Sequence, residues 1–220
     1  ESTAVHDTRI SIKDFGAVGD GVADDTDAIR NWLNSLKKGD CGYVPAGTYR
    51  FTEPLSYKLV NHNVAIRGDG AQQTVFLYDG EDKNCDLITI GMDECELHGW
   101  TLADFNIESK TVMKSGAALH LINLKHTVRL NNVSVSRVDN ANGRKLWNGV
   151  FFDDCSLTNY VGFEINVQNE GIQIAGAPDS DSSADILIDQ GTINFSRVGI
   201  HVGGGFGGLY LRQVLIYGST

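Results

Sequence analysis

Polar and apolar residues alternate with period two through much of the chain, and one phrase of this kind recurs in its second half. It reads CELHGWTLAD from Cys95, VRLNNVSVSR from Val128, VFFDDCSLTN from Val150, ILIDQGTINF from Ile186 and LYLRQVLIYG from Leu209. Aligned on those first residues, one apolar column holds Leu97, Leu130, Phe152, Ile188 and Leu211. Another holds Leu102, Val135, Leu157, Ile193 and Ile216. The short steps, Val128 to Val150 and Ile186 to Leu209, read as the bare repeat, and the longer ones as the same unit with a loop added. Period two with polar punctuation means strands and turns. Units that recur at such a spacing stack, because none can bury its apolar face alone. The pattern therefore predicts an all-β chain, a single-stranded parallel β-helix (β-solenoid).

Residues 1–8 are polar and read as a tail or linker. The glycines of GAVGDGVADDTDA set sharp turns, and its acids open a helix, with Asp24, Asp25 or Thr26 as N-cap. Ile29, Trp32, Leu33 and Leu36 form one face of that helix over about residues 25–38. An amphipathic helix here is a lid over the first coil, whose apolar section and free edge would otherwise meet water. Asp20, Asp24, Asp25 and Asp27 fit capping and turn chemistry better than a metal site. Residues 9–63 thus read as the capping region and 64–220 as coils. A second strand set (DLITIG, GAALHLIN, GIQIAG, GIHVGGG) precedes the phrases, and loops are expected at Asp139–Asn148 and Ala177–Asp185. The opening Glu and the uncapped last strand read as the ends of a piece cut from something longer.

Glycine is abundant (25) and proline scarce (3), which suits many tight turns. A net charge of −10 argues against nucleic-acid backbones and anionic membranes, although a local site need not share the global sign. No apolar run approaches the ~18 residues of a membrane span. Of the four cysteines, Cys95 and Cys155 fall in inward columns as small hydrophobes, and a Cys85–Cys95 disulfide is open to question. GGGFGG lacks the lysine and helix of a phosphate loop, and neither a nucleophile elbow nor clustered histidines appear. No cofactor and no metal are expected.

The second position of each phrase faces outward, placing Glu96, Arg129, Phe151, Leu187 and Tyr210 on the surface. Outward apolar residues call for a partner: a sugar groove or a subunit interface. The polar pairs Asn131–Asn132, Asp153–Asp154, Asp189–Gln190 and Arg212–Gln213 stack between coils, either as a backbone-bonding ladder or as paired carboxylates for glycoside chemistry. VGFEINV and VGIHV place Glu164 beside His201, unless GIQIAG opposes GIHVGG and Gln173 takes that place. The candidate catalytic residues are Asp153, Asp154, Glu164, Asp189 and His201. Phe151, Tyr210 and Arg212 are the candidates for substrate binding.

The segments DFGAVGDGVADDTDAI, YVPAGTY and VAIRGDG, in that order, resemble the N-terminal signature of the pectate-lyase-like right-handed parallel β-helix superfamily. The likeness is greatest to bacteriophage tailspikes and capsule depolymerases. It implies a right-handed β-helix with an N-terminal capping α-helix, and a protein that binds bacterial surface polysaccharide and cleaves it by hydrolysis or β-elimination. It also implies a homotrimer carried on the virion tail by a preceding head-binding domain. The calcium ligands of the superfamily's pectate lyases have no counterpart here residue by residue. A non-catalytic, adhesive stalk and a secreted pectate-lyase-like enzyme are the alternatives.

Overall fold

The computed structural model describes residues 9–58, 60–92, 95–136, 144–176, 185–195, 197–204 and 207–218. The chain opens with β1 (Arg9–Ser11), a 3-10 turn (Ile12–Phe15), α1 (Thr26–Ser35), β2 (Cys41–Val44) and β3 (Gly47–Phe51). Next come β4 (Leu55–Tyr57), β5 (Ala65–Gly68), β6 (Thr74–Tyr78), β7 (Ile88–Gly91), β8 (Leu97–His98) and β9 (Thr101–Ser109). There follow β10 (Ala117–Ile122), β11 (Leu124–Lys125), β12 (Val128–Val135), β13 (Asn148–Asp153) and β14 (Thr158–Asn166). The last are β15 (Glu170–Ala175), β16 (Ile186–Phe195), β17 (Val198–Val202) and β18 (Leu209–Gly218).

All the strand pairs of the three sheets are parallel. The large sheet runs β1-β2-β5-β9-β12-β14-β16-β18, with β6 also on β9 and β3 on β6. The second runs β17-β15-β13-β10-β7-β4, and β8 and β11 form a third. The chain alternates between sheets as it climbs, making a right-handed parallel β-helix of about six turns.

The long strands bend at one residue of left-handed backbone each: Asp104 (φ 64°), Asn132 (φ 51°), Gly162 (φ 69°), Gln190 (φ 51°) and Gln213 (φ 51°). The register stacks these corners. Asn, Asp and Gly tolerate this conformation best, and Asn132 Nδ2 donates to Asp104 Oδ1 at 2.9 Å. Inside, like stacks on like. Tyr49, Phe76 and Phe105, from successive coils, lie 6.2 and 5.5 Å apart.

The helix α1 is shorter than its sequence suggests and covers the first coil as expected. Ile29, Trp32, Leu33 and Leu36 are buried, and Trp32 Nε1 donates to the carbonyl of Ile10 at 2.8 Å. A Cβ at Gly42 would lie 2.5 Å from the Trp32 ring, so β2 needs glycine where the helix crosses it. The aspartates serve the turns. Asp25 accepts from the backbone N–H groups of Val18 and Gly19 at 2.6 and 2.9 Å. Asp20 accepts from those of Val22 and Ala23, each at 2.8 Å.

Three readings need correction. The phrase from Val150 does not stack on those from Val128 and Ile186: β13 belongs to the second sheet, and β12 is followed across the coils by β14. Its short step is part of a coil. The stacked columns are Leu102, Leu130, Tyr160, Ile188 and Leu211, and Ile107, Val135, Ile165, Ile193 and Ile216, whereas Leu157 is 45% exposed. Cys95 is partly exposed ahead of β8, and no disulfide joins any of the four cysteines. The large sheet also does not begin at Val64, because β1 and β2 already continue it below β5. The expected tail at 1–8, half of the loop expected at 139–148 and most of that expected at 177–185 lie outside the described residues. Among those described, no helix is long and apolar enough to cross a membrane.

The alternation on β12 is open to measurement. Leu130 is fully buried, so Leu130→Ala is expected to cost about 2–5 kcal/mol in urea unfolding. The exposed neighbour Arg129→Ala is expected to stay within about 0.5 kcal/mol. Equal costs would show the register to be wrong.

Candidate active site

On the second sheet, buried Leu119, Leu121, Val150, Phe152, Ile172 and Ile174 point inward, so the residues between them face out. The register lines up Ser56, Thr89, His120, Phe151, Gln173 and His201 across six coils. Period-two alternation thus builds a straight outward row on a rigid sheet.

His120 is the centre of this row. Its Nδ1 lies 2.7 Å from Asp86 Oδ2 and its Nε2 lies 3.4 Å from Asp153 Oδ2. The ring stacks on Phe151 at 4.5 Å and 15°. Asp86, just before β7, is fixed by the Ala117 N–H, which donates to its Oδ1 at 2.7 Å. Burial works against the charged imidazole, but the hydrogen bonds and charges of Asp153 and Asp86 outweigh it and lift His120 to about 9. For Asp86, burial alone would raise the carboxyl. The bonds from His120 and Ala117 reverse this and hold it below its ordinary value. Pro54, Ser56, Lys58, Asp86, Thr89 and His120 line an adjoining open cleft of about 540 Å³.

The polar row continues along the coils. Asn148 Nδ2 donates to Gln173 Oε1 at 3.1 Å, and its Oδ1 accepts from Asn169 Nδ2 at 2.9 Å and the Glu170 N–H at 3.2 Å. Buried Glu170 lies 3.0 Å from His201 Nδ1.

The expected site residues separate onto different faces. Asp153, Phe151 and His201 lie on this row. Glu164 lies on β14, where the register sets it opposite Thr192 and not His201, which stands opposite Gln173. The pairing of Glu164 with His201 therefore dissolves, and the imidazole takes Glu170 instead. Asp154 turns away in left-handed backbone (φ 50°) to bond Lys125 Nζ at 2.8 Å. Asp189 is buried on β16, and Arg212 Nε donates to its Oδ2 at 3.0 Å, with Nη2 closer still. Arg212 holds the Asp189 carboxyl below its usual range, so this guanidinium is engaged within the fold. Tyr210 and Arg212 line a groove with Leu157 and Leu187 on the large sheet, apart from Phe151. The proposed stacking of Asp153–Asp154 on Asp189–Gln190 fails because the two pairs belong to different sheets.

Asp86, His120 and Glu170 were not singled out from the sequence. The available signal was the acid that opens DLITIG and a histidine in an outward position of GAALHLIN. Their meeting depends on a register that only the stacked coils define.

The fold and this row define a parallel β-helix protein with a polar outer face built across successive coils. The chain belongs to the rhamnogalacturonase A/epimerase, pectate-lyase-like family, whose match spans residues 9–220. Alginate lyase 7 of Azotobacter vinelandii is 34% identical over 105 residues, which is 44% of this chain and 12% of that enzyme. The chain thus spans about an eighth of that relative. A putative glycosyl hydrolase from Parabacteroides merdae superposes with a TM-score of 0.63 at 14% identity, covering 95% of this chain and 98% of that one. ORF18 of Geobacillus virus E2 superposes with a TM-score of 0.58 at 14% identity, covering 96% and 61%. These likenesses to solved structures concern the fold alone.

The triad should carry a signature in stability. A raised imidazole stabilises the folded state fully below its unfolded value of about 6.5, and the gain is lost as pH rises through about 9. The lowered Asp86 acts oppositely, with its gain lost as pH falls through the acidic range. His120→Gln is therefore expected to destabilise the protein near pH 6.5, by up to about 3 kcal/mol. The difference should close above pH 9 in urea titrations. A pH-independent difference would mean that the imidazole is not charged in the fold.

Proposed function

We propose that this chain is the β-helix part of a tailspike-type phage protein that binds and depolymerises bacterial surface polysaccharide, with its chemistry on the Asp86–His120–Asp153 row. The observation that carries the reading is one imidazole held between two carboxylates on the open face of a rigid sheet. An imidazole bonded on both sides sets its carboxylates farther apart than the ~5 Å of a retaining pair, and within reach of the ~6.5–9.5 Å of an inverting one. Hydrolysis with inversion is the reaction that this spacing fits. The two acids differ in environment, which is how roles divide in such sites. Asp86 is anchored and held ionised. Asp153, at the longer bond, is the carboxylate placed to act on the substrate or a water. Charged His120 and Lys58 favour an acidic sugar beside them despite the chain's negative sign. Further along the row, Gln173 and His201 serve as sugar contacts. The family and the alginate lyase relative support a carbohydrate substrate.

The test is reducing-end release, together with absorbance at 235 nm, from capsular and O-antigen polysaccharides, using the whole protein that carries this chain. Reducing ends without absorbance are expected. Asp153→Asn should lower turnover at least about 100-fold, while Glu164→Gln on the other sheet stays within severalfold. Absorbance growth would indicate elimination. Silence on every polysaccharide tested would favour the adhesive stalk.

The groove of Leu157, Leu187 and Tyr210, about 720 Å³ in volume, fits a neighbouring subunit of a homotrimer. Tyr210→Asp is then expected to shift the mass in light scattering from trimer to monomer. An unchanged mass would remove this face from the interface.

A further inference from the structure

The third sheet carries a histidine row unrelated to the polar row described above. His62, His98 and His126 come from successive coils, with ring centroids 4.9 Å apart for the first pair and 4.7 Å for the second. Glu96 joins them, its Oε2 3.3 Å from His98 Nε2. One ligand atom each from Glu96, His98 and His126 lies within 4.8 Å of the others. The placement is set by the backbone. Buried Leu97 and Leu124 pair β8 with β11, which sets Lys125 opposite His98. The next residues, His126 (φ 50°) and Thr127 (φ 72°), turn in left-handed backbone and set the His126 ring edge-on to that of His98. Below, His62 Nδ1 accepts the backbone N–H of His98 at 3.1 Å, which ties this coil to the previous one.

We propose that Glu96, His98 and His126 bind a borderline first-row transition-metal ion, Zn2+ or its neighbours Ni2+ and Cu2+. Two imidazole nitrogens and one carboxylate oxygen are a donor set these ions take readily, whereas Ca2+ and Mg2+ require oxygen throughout. The geometry agrees. A tetrahedral ion with bonds of about 2.0–2.1 Å has ligand atoms about 3.3–3.4 Å apart, and the Glu96–His98 pair already stands at 3.3 Å. The third ligand atom, on the exposed His126, lies within 4.8 Å of the other two. Lys38 and Arg129 line the adjoining cleft with His62, His98 and His126, so the fourth position faces water or an anionic group. Because Glu96 and His98 come from one coil and His126 from the next, the ion is a clasp between coils and binds the folded chain preferentially.

The test uses protein purified without a polyhistidine tag, stripped with EDTA and titrated calorimetrically with ZnCl2. One ion per chain is expected, with no matching response to CaCl2, and melting temperature should rise with Zn2+. Cu2+ loaded in its place should show coupling to imidazole nitrogens in electron paramagnetic resonance. His98→Gln and His126→Asn should each weaken Zn2+ binding at least roughly tenfold. His201→Asn, on the other sheet, should leave it unchanged, with circular dichroism confirming that each variant is folded. Failure to bind Zn2+ at millimolar concentration would overturn the proposal, as would undiminished binding in the His98→Gln/His126→Asn double variant.

Discussion

The parallel, in-register hydrogen-bond ladder between coils is the constraint on which the rest of this molecule depends. Parallel strands about 4.8 Å apart bring each residue against its equivalents above and below, and the strict alternation of faces means that a slip of one residue would turn the core outward. Several stacks among the described residues are accordingly of like on like: ring on ring, left-handed corner on left-handed corner, amide on amide. Asn194 Nδ2 donates to Asn166 Oδ1 at 2.8 Å, and Asn166 Nδ2 donates to the Ser136 carbonyl at 2.8 Å. Asn166 thus satisfies a carbonyl at the left-handed turn of Ser136, and Asn194 in turn bonds the Asn166 side chain.

The same ladder decides what each charge is used for. Acids at corners are consumed by cations one coil away: Asp154 by the buried Lys125, and Asp189 by Arg212. A buried charge without a partner is costly, so such pairs are conditions of the fold and leave little for chemistry. On the flat outer face of the second sheet, by contrast, titratable groups meet beside open space, where Asp86 and His120 line a cleft and Asp153 bonds the imidazole. Position in the coil, more than residue type, separates a staple from a reactive group.

The chain showed its fold openly and its site only partly. Hydrophobic alternation, the glycine-rich turns and the face formed by Ile29, Trp32 and Leu36 were legible because they are local. The stacking partners were not. The phrase from Val150 looks like those from Val128 and Ile186 because both sheets obey the same period-two rule, and nothing in a strand says which sheet it joins. Misplacing that strand put Asp153 beside Asp189 and Phe151 beside Tyr210, when each belongs to a separate face. Asp86 and His120 lie 34 residues apart, a separation without meaning until the coil length is known. His62 and His98, 36 apart, escaped notice for the same reason.

The two histidine rows show how one scaffold yields opposite chemistry from the ratio of donors it stacks. On the second sheet one imidazole stands between two carboxylates. Both its nitrogens are engaged, and the surplus negative charge is met by a proton. At the third sheet the ratio is reversed: two imidazoles gather with one carboxylate, which can accept their N–H groups but offers nothing to their lone pairs. A proton satisfies the first arrangement, and a divalent ion is what satisfies the second, since it accepts several lone pairs at once. Both arrangements need only that side chains repeat, coil after coil, at the same place in the turn. A parallel β-helix can therefore exchange proton chemistry for metal binding by changing one side chain per coil, without disturbing the core beneath.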